Sequence, residues 1–140
     1  MIHLYKKIVV PVDLAHLDKL SKAIDVSSKL AKLYGAEVFY VAVTANVPTE
    51  VARTPAEFVA KLRAFTASEA ARNGITATAK AYTSHDPSID LDDYLPRAIE
   101  EVGGDLVVMA SHVPGFIDQL WPTHGEHLAA HTSASIFLVR

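Results

Sequence analysis

Residues 106–109, LVVM, form a short, unbroken apolar run that constrains the fold more than any other part of the chain. Four consecutive apolar side chains suit a strand covered on both faces, as strands are in the middle of a parallel sheet. The run opens the stretch DLVVMASHVPG, residues 105–115, in which the chain turns small and polar at Ala110, Ser111 and His112 before reaching Pro114 and Gly115. The strand therefore empties into a loop at its carboxyl end, and in open α/β sheets that edge is where ligands bind.

A buried strand needs neighbours, and the chain supplies them in alternation with helices. Residues 7–12, KIVVPV, are mostly β-branched and read as a first buried strand with Asp13 at its end. From about Leu17 to Tyr34 apolar residues recur three or four apart among lysines, and Gly35 stands where a helix C-cap would sit. Residues 37–43 predict a second strand, residues 44–54 a loop, and Pro55 the first turn of a second helix stopped by Asn73-Gly74. Phe58, Leu62 and Phe65 make one face of that helix. Residues 75–82, ITATAKAY, alternate weakly and predict a third strand. A polar, acidic loop at 84–93 leads to a third helix ending at Val102. Pro96 is expected in its first turn, because a later proline removes a helical bond and clashes. Beyond Gly103-Gly104 and the apolar run come a loop through Trp121-Pro122, a fourth helix from about Thr123 to His131, and a last strand at 135–139. Such alternation calls for an open, twisted, five-stranded parallel sheet with helices on both faces and right-handed crossovers.

Composition narrows the function. Half of the 140 residues are hydrophobic and 21% are charged, which suits one globular domain over residues 1–140 and leaves little room for two. The formal net charge is −3 with no Lys/Arg stripe, which argues against nucleic acid as a partner, since such binders rest on attraction to phosphate. No cysteine occurs, so no disulfide scaffold is available and a reducing cytoplasm fits. The amino terminus has no signal-peptide pattern, and no apolar stretch approaches the ~20 residues of a membrane helix; a cytoplasmic chain without a membrane partner is expected. The chain has no G-x-S-x-G elbow, no cysteine nucleophile and no phosphate-binding P-loop, and a non-enzymatic role is expected.

The candidate site residues follow from the strand ends. In the order 3-2-1-4-5 the first and fourth strands are neighbours at the switch point, so Asp13 and Ser111 share a crevice. A carboxylate there accepts hydrogen bonds from a ribose hydroxyl or an adenine amino group; it also suits the N-cap of the first helix, and the two roles are compatible. Thr123 and Glu126 have capping-box spacing, which explains both residues without a ligand. A helix start facing the crevice would also attract phosphate, although Pro122 removes a donor and Glu126 adds a negative charge. His124, His127 and His131 recur on one helical face, and Asp86, Asp90, Asp92 and Asp93 crowd one loop. Neither set has the spacing of a known metal motif, so a solvated or subunit-facing polar stripe is expected for the histidines and a solvated acidic loop for the aspartates, and no metal is predicted.

Taken together, the opening KIVVPVD, the second strand ending at Val43, and MASH followed by HTSASIFLVR resemble the universal stress protein family along the whole chain. The resemblance implies a fold of the adenine nucleotide alpha hydrolase-like type, a homodimer formed through the last strand, and a crevice for ATP or AMP. It puts Pro11, Val12, Asp13 and Val43 around adenine and ribose, with Met109, Ala110, Ser111 and His112 beneath them. Many members hold the phosphates at a Gly-x-x-Gly turn followed nine residues later by Gly-Ser or Gly-Thr. Here Ala110 and Val113 occupy the glycine positions, Pro122-Thr123 falls one residue short of the later pair, and only Thr123 survives of the phosphate contacts. Valine resists positive φ and proline has no N–H, so a weakened phosphate cradle is expected. The alternative is a competent ATP or AMP sensor using the turn Ser111-His112-Val113-Pro114, which some members have in place of the glycines.

The final run SIFLVR, from Ser135 to Arg140, is strongly β-forming and should lie at a sheet edge. An exposed apolar edge is a hazard unless covered, and pairing two copies about a two-fold axis would cover it.

Overall fold

A computed structural model describes residues 4–85, 91–110, Leu128 and 132–140. The strands are β1 (Lys7–Pro11), β2 (Glu37–Ala45), β3 (Thr76–Ser84), β4 (Leu106–Ala110) and β5 (Ser135–Val139). The helices are α1 (Ser21–Tyr34), α2 (Pro55–Asn73) and α3 (Leu91–Val102), with a 3₁₀ segment, Leu14–Leu20, ahead of α1. The strands pair in parallel, as the alternation predicts, and in the expected order β3-β2-β1-β4-β5.

The central strands are apolar because both their faces are covered. Ile8, Val9, Val38, Val41, Val107, Val108 and Met109 are fully buried. Val10 is level with Tyr40, whose ring meets Phe65 of α2 edge-on at 5.0 Å. Successive side chains alternate across a strand, so Val9 faces the other way, where it and Ile99 of α3 both border Gly104. The first two helices therefore cover one face and α3 the other. The predicted fourth helix falls outside the described residues except for Leu128, which is helical and buried.

The turn between α3 and β4 shows why two glycines stand together. Gly103 takes φ 71°, a left-handed conformation that other residues adopt at a cost. The backbone of Gly104 runs so close to β1 that a Cβ there would lie 2.6 Å from Val9 Cγ2. Just beyond, the Asp105 carboxylate accepts the amides of Lys6 and Lys7, each at 3.0 Å, while the Asp105 amide donates to the Lys7 carbonyl. The starts of β1 and β4 are thereby locked side by side.

Several boundaries differ from the sequence reading. β1 ends at Pro11 instead of Val12, although the Val12 amide still donates to the Val41 carbonyl at 2.8 Å. β2 and β3 run on to Ala45 and Ser84, because those two residues remain partners in the ladder. The first helical turn begins at Leu14, earlier than Leu17, as a 3₁₀ segment interrupted at His16. Pro96 does not sit in a first turn: α3 begins at Leu91, inside the segment read as loop, and Pro96 is its sixth residue. The helix forgoes one backbone bond there, but Leu95, Ala98 and Ile99 beside the proline are buried, and burying such side chains outweighs one missing bond.

Candidate functional site

The carboxyl edge of the sheet assembles most of the residues expected there. β1 pairs with β2 through Pro11↔Val41 and with β4 through Val9↔Val107. Continuing those registers puts Asp13 level with Val43 on one side, and Pro11 and Val12 level with Met109 and Ala110 on the other. Three adjacent parallel strands thus bring together Pro11, Val12, Asp13, Val43, Met109 and Ala110 on the carboxyl edge of the sheet, at the switch point between β1 and β4. Ser111, His112 and Thr123 lie outside the described residues, as do the turn Ser111-His112-Val113-Pro114 and His124, His127 and His131.

The six differ in what they can offer a ligand. Val12 and Met109 are buried, at 1% and 0% exposure, and Ala110 at 7%, so they form a packed floor. Val43 is half-buried. Asp13 is the polar member, with 21% of its side chain exposed. It is extended, at φ −118° and ψ 110°, and caps the 3₁₀ segment by accepting the Ala15 amide on Oδ1 at 3.0 Å. Its Oδ2 lies 2.9 Å from His16 Nδ1. The N-cap role is therefore realised, and it occupies only part of the carboxylate's accepting capacity.

Beside Asp13 the surface opens into a groove of about 400 Å³ between the 3₁₀ segment, the loop after β2 and α2, lined by Leu14, Ala15, Leu17, Glu50, Val51, Lys61 and Phe65. Lys61 donates to the Val51 carbonyl and lies 3.6 Å from Glu57, which pins the loop to α2. Thr54 caps that helix by accepting the Glu57 amide.

The sequence reading passed over both His16 and this groove. His16 stands three residues after a capping Asp, a spacing that brings side chains together at a helix start, and that was the available signal. Glu50 and Val51 come near Leu14 only through the tertiary fold. Among the described residues no three potential metal ligands cluster, and no helix is long and apolar enough to cross a membrane.

The whole-chain comparisons agree with the fold. Residues 4–140 match the model of the Universal stress protein family. No curated protein matches the sequence significantly. Among solved structures, a universal stress family protein from Burkholderia pseudomallei is 20% identical, with a TM-score of 0.63 over 96% of each chain. A universal stress protein in complex with cAMP is also 20% identical, with a TM-score of 0.65 over 97% of each chain. One from Archaeoglobus fulgidus in complex with dAMP is 16% identical, with a TM-score of 0.66 over 98% of this chain and 99% of the other. At such identities structural likeness speaks for the fold, and the family match spans nearly every residue: the chain belongs to the universal stress protein family.

Proposed function

We propose that this protein is a non-enzymatic, cytoplasmic stress-response regulator that works as a homodimer and holds an adenine nucleotide mainly by its nucleoside part. The observation that carries this reading is the placement of Asp13: a part-exposed carboxylate at the switch point, with an acceptor position on each oxygen that no described residue uses. Neutral donors such as ribose hydroxyls or an adenine amino group suit it. Pro11, Val12 and Val43 would flank the base and sugar, and Met109 and Ala110 would support them from below. The structural neighbours solved with cAMP and dAMP support an adenine nucleotide as the ligand class.

On the phosphate side the reading rests on the sequence alone, where Ala110, Val113 and Pro122 replace glycines or displace them, and Thr123 remains. A nucleoside site without a phosphate cradle should bind AMP and ATP with similar strength. Calorimetric titration with both tests this. ATP binding much tighter than AMP would overturn the proposal in favour of an ATP sensor built on the Ser111-His112-Val113-Pro114 turn. Sustained ATP turnover by purified protein would overturn the non-enzymatic role.

A further inference from the structure

The Asp13 carboxylate is held from two sides, by the Ala15 amide and by the His16 ring. A carboxylate offers about four acceptor positions, two on each oxygen. The Ala15 amide takes one on Oδ1 at 3.0 Å and the His16 ring takes one on Oδ2 at 2.9 Å. Among the described residues nothing takes the remaining position on each oxygen.

His16 reaches Asp13 because its backbone departs from the helical region, at φ −137° and ψ 38°, and breaks the 3₁₀ segment at that residue. The main chain holds the turn as well, since the His16 amide donates to the Asp13 carbonyl at 3.0 Å. Both side chains are part-exposed, 32% for His16 and 21% for Asp13. An ion pair or hydrogen bond so open to water adds little to folding stability, so its main consequence is the orientation it imposes.

We propose that His16 is a positioning residue of the crevice, acting through Asp13: its Nδ1 fixes the carboxylate plane so that the spare acceptor position on each oxygen faces the ligand. This rests on the nucleoside-binding reading above. Without the ring, Asp13 keeps its cap through Oδ1, yet the carboxylate must be immobilised again each time a ligand binds.

NMR titration with adenosine, which has no phosphate and is readable at millimolar affinity, tests the idea in wild type and variants. His16→Ala and His16→Phe, which keeps the ring bulk without a donor, are each expected to weaken adenosine by roughly two- to tenfold. His16→Asn, whose amide nitrogen stands near the place of Nδ1, should recover most of the loss. In an Asp13→Asn background, His16→Ala should cause no further loss, because the residue acts through Asp13. A purely structural role would shift thermal midpoints and leave the adenosine affinities alike. Equal affinity in wild type, His16→Ala and His16→Phe overturns the proposal, as does an undiminished His16→Ala effect in the Asp13→Asn background. Absence of adenosine binding by the wild type removes the nucleoside reading itself and this inference with it, an outcome distinct from binding that ignores His16.

Discussion

The α-carbon of Gly104 sits against Val9 so closely that a single added carbon would stand 2.6 Å from Val9 Cγ2 and 3.5 Å from Ile99 Cγ2. Val9 is fully buried in a central strand and has no room to retreat. Gly104→Ala is therefore expected to overpack the α3 face, at a cost of about 1–3 kcal/mol and a fall of roughly 3–10 °C in thermal midpoint. Gly103 provides the contrast, because a Cβ there would meet only the flexible Lys7 side chain at 3.7 Å and its cost is conformational. Asparagine tolerates left-handed backbone, so Gly103→Asn should be mild and Gly104→Asn severe. Thermal melts of the three variants check the ranking, and equal losses at both positions would contradict it.

Tyr40 is fully buried, and its hydroxyl has no hydrogen-bond partner among the described residues. The neighbouring Ser28 hydroxyl is donated to the Ile24 carbonyl instead. Burial pushes the phenol up from its ordinary 10.0 to about 12, with Ser28 and Arg72 opposing the shift and Glu69 reinforcing it. A group whose pKa is higher when folded stabilises fully below its unfolded value and loses that contribution as pH climbs through the folded value. Stability should accordingly fall between about pH 10 and 12. Tyr82, raised chiefly by its own burial, adds to the fall in wild type and variant alike. Tyr40→Phe should flatten the curve above pH 10 and, by removing an unsatisfied polar group, leave stability at pH 7 unchanged or up to about 1 kcal/mol higher. Urea unfolding at pH 7 and pH 11 measures both effects, and a large loss at pH 7 would mean that the hydroxyl is satisfied after all.

What could be read from the chain, and what could not, divides by the range of the cause. The last strand, Ser135–Val139, and the glycines that close α1 and α2 in left-handed geometry are local signals, and they stand where the sequence puts them. The parallel sheet with helices on both faces follows from alternation and handedness, which are properties of any such chain, whereas the strand order does not, since the order 2-1-3-4-5 obeys the same rules. Pro96 misled because its local penalty was set against nothing, whereas in the fold Leu95, Ala98 and Ile99 are drawn into the core around it. Asp105 had no readable role, since the amides it accepts lie 98 and 99 residues away. Asp13 was legible as a strand-end carboxylate. Its partner His16 was legible only as a residue three places after a capping Asp, because the contact also depends on a backbone break that no propensity encodes.

Restoring glycine to the phosphate side should convert the proposed nucleoside site into a nucleotide site. Val113→Gly frees the backbone to take positive φ, and Pro122→Gly returns an N–H that proline lacks. Each recovered hydrogen bond to a charged phosphate contributes ~1.5–3 kcal/mol, so the double variant should bind ATP more than about tenfold tighter even after the ordering cost of glycine. Calorimetry on the double variant, with circular dichroism to verify its fold, provides the comparison. Unchanged ATP affinity would show that the missing glycines do not limit binding.

The proposed dimer depends on which backbone groups β5 leaves open. The Ser135 amide donates to the Asp105 carbonyl, and Ser135 is level with Leu106. In a parallel ladder the N–H and C=O of one residue point the same way and alternate residues point oppositely. Phe137 and Val139 therefore also turn their amides toward β4, while Ile136 and Leu138 present theirs at the outer edge, where no described strand pairs with β5. The side chains there are apolar, with Phe137 and Leu138 each 44% exposed. Burying such side chains contributes roughly 1.5–3 kcal/mol each, so several of them on two symmetric copies suffice for the ~8 kcal/mol of a micromolar dimer. Proline distinguishes the two sides of the strand. At Phe137 it would remove a bond to β4 and damage the fold; at Leu138 it removes only an outward donor, where edge strands tolerate it. Wild type is expected to sediment as a dimer at ~100 µM, well above the micromolar range, and Leu138→Pro as a folded monomer. A wild type that is monomeric at that concentration, or a Leu138→Pro variant that remains dimeric, would place the interface elsewhere or nowhere.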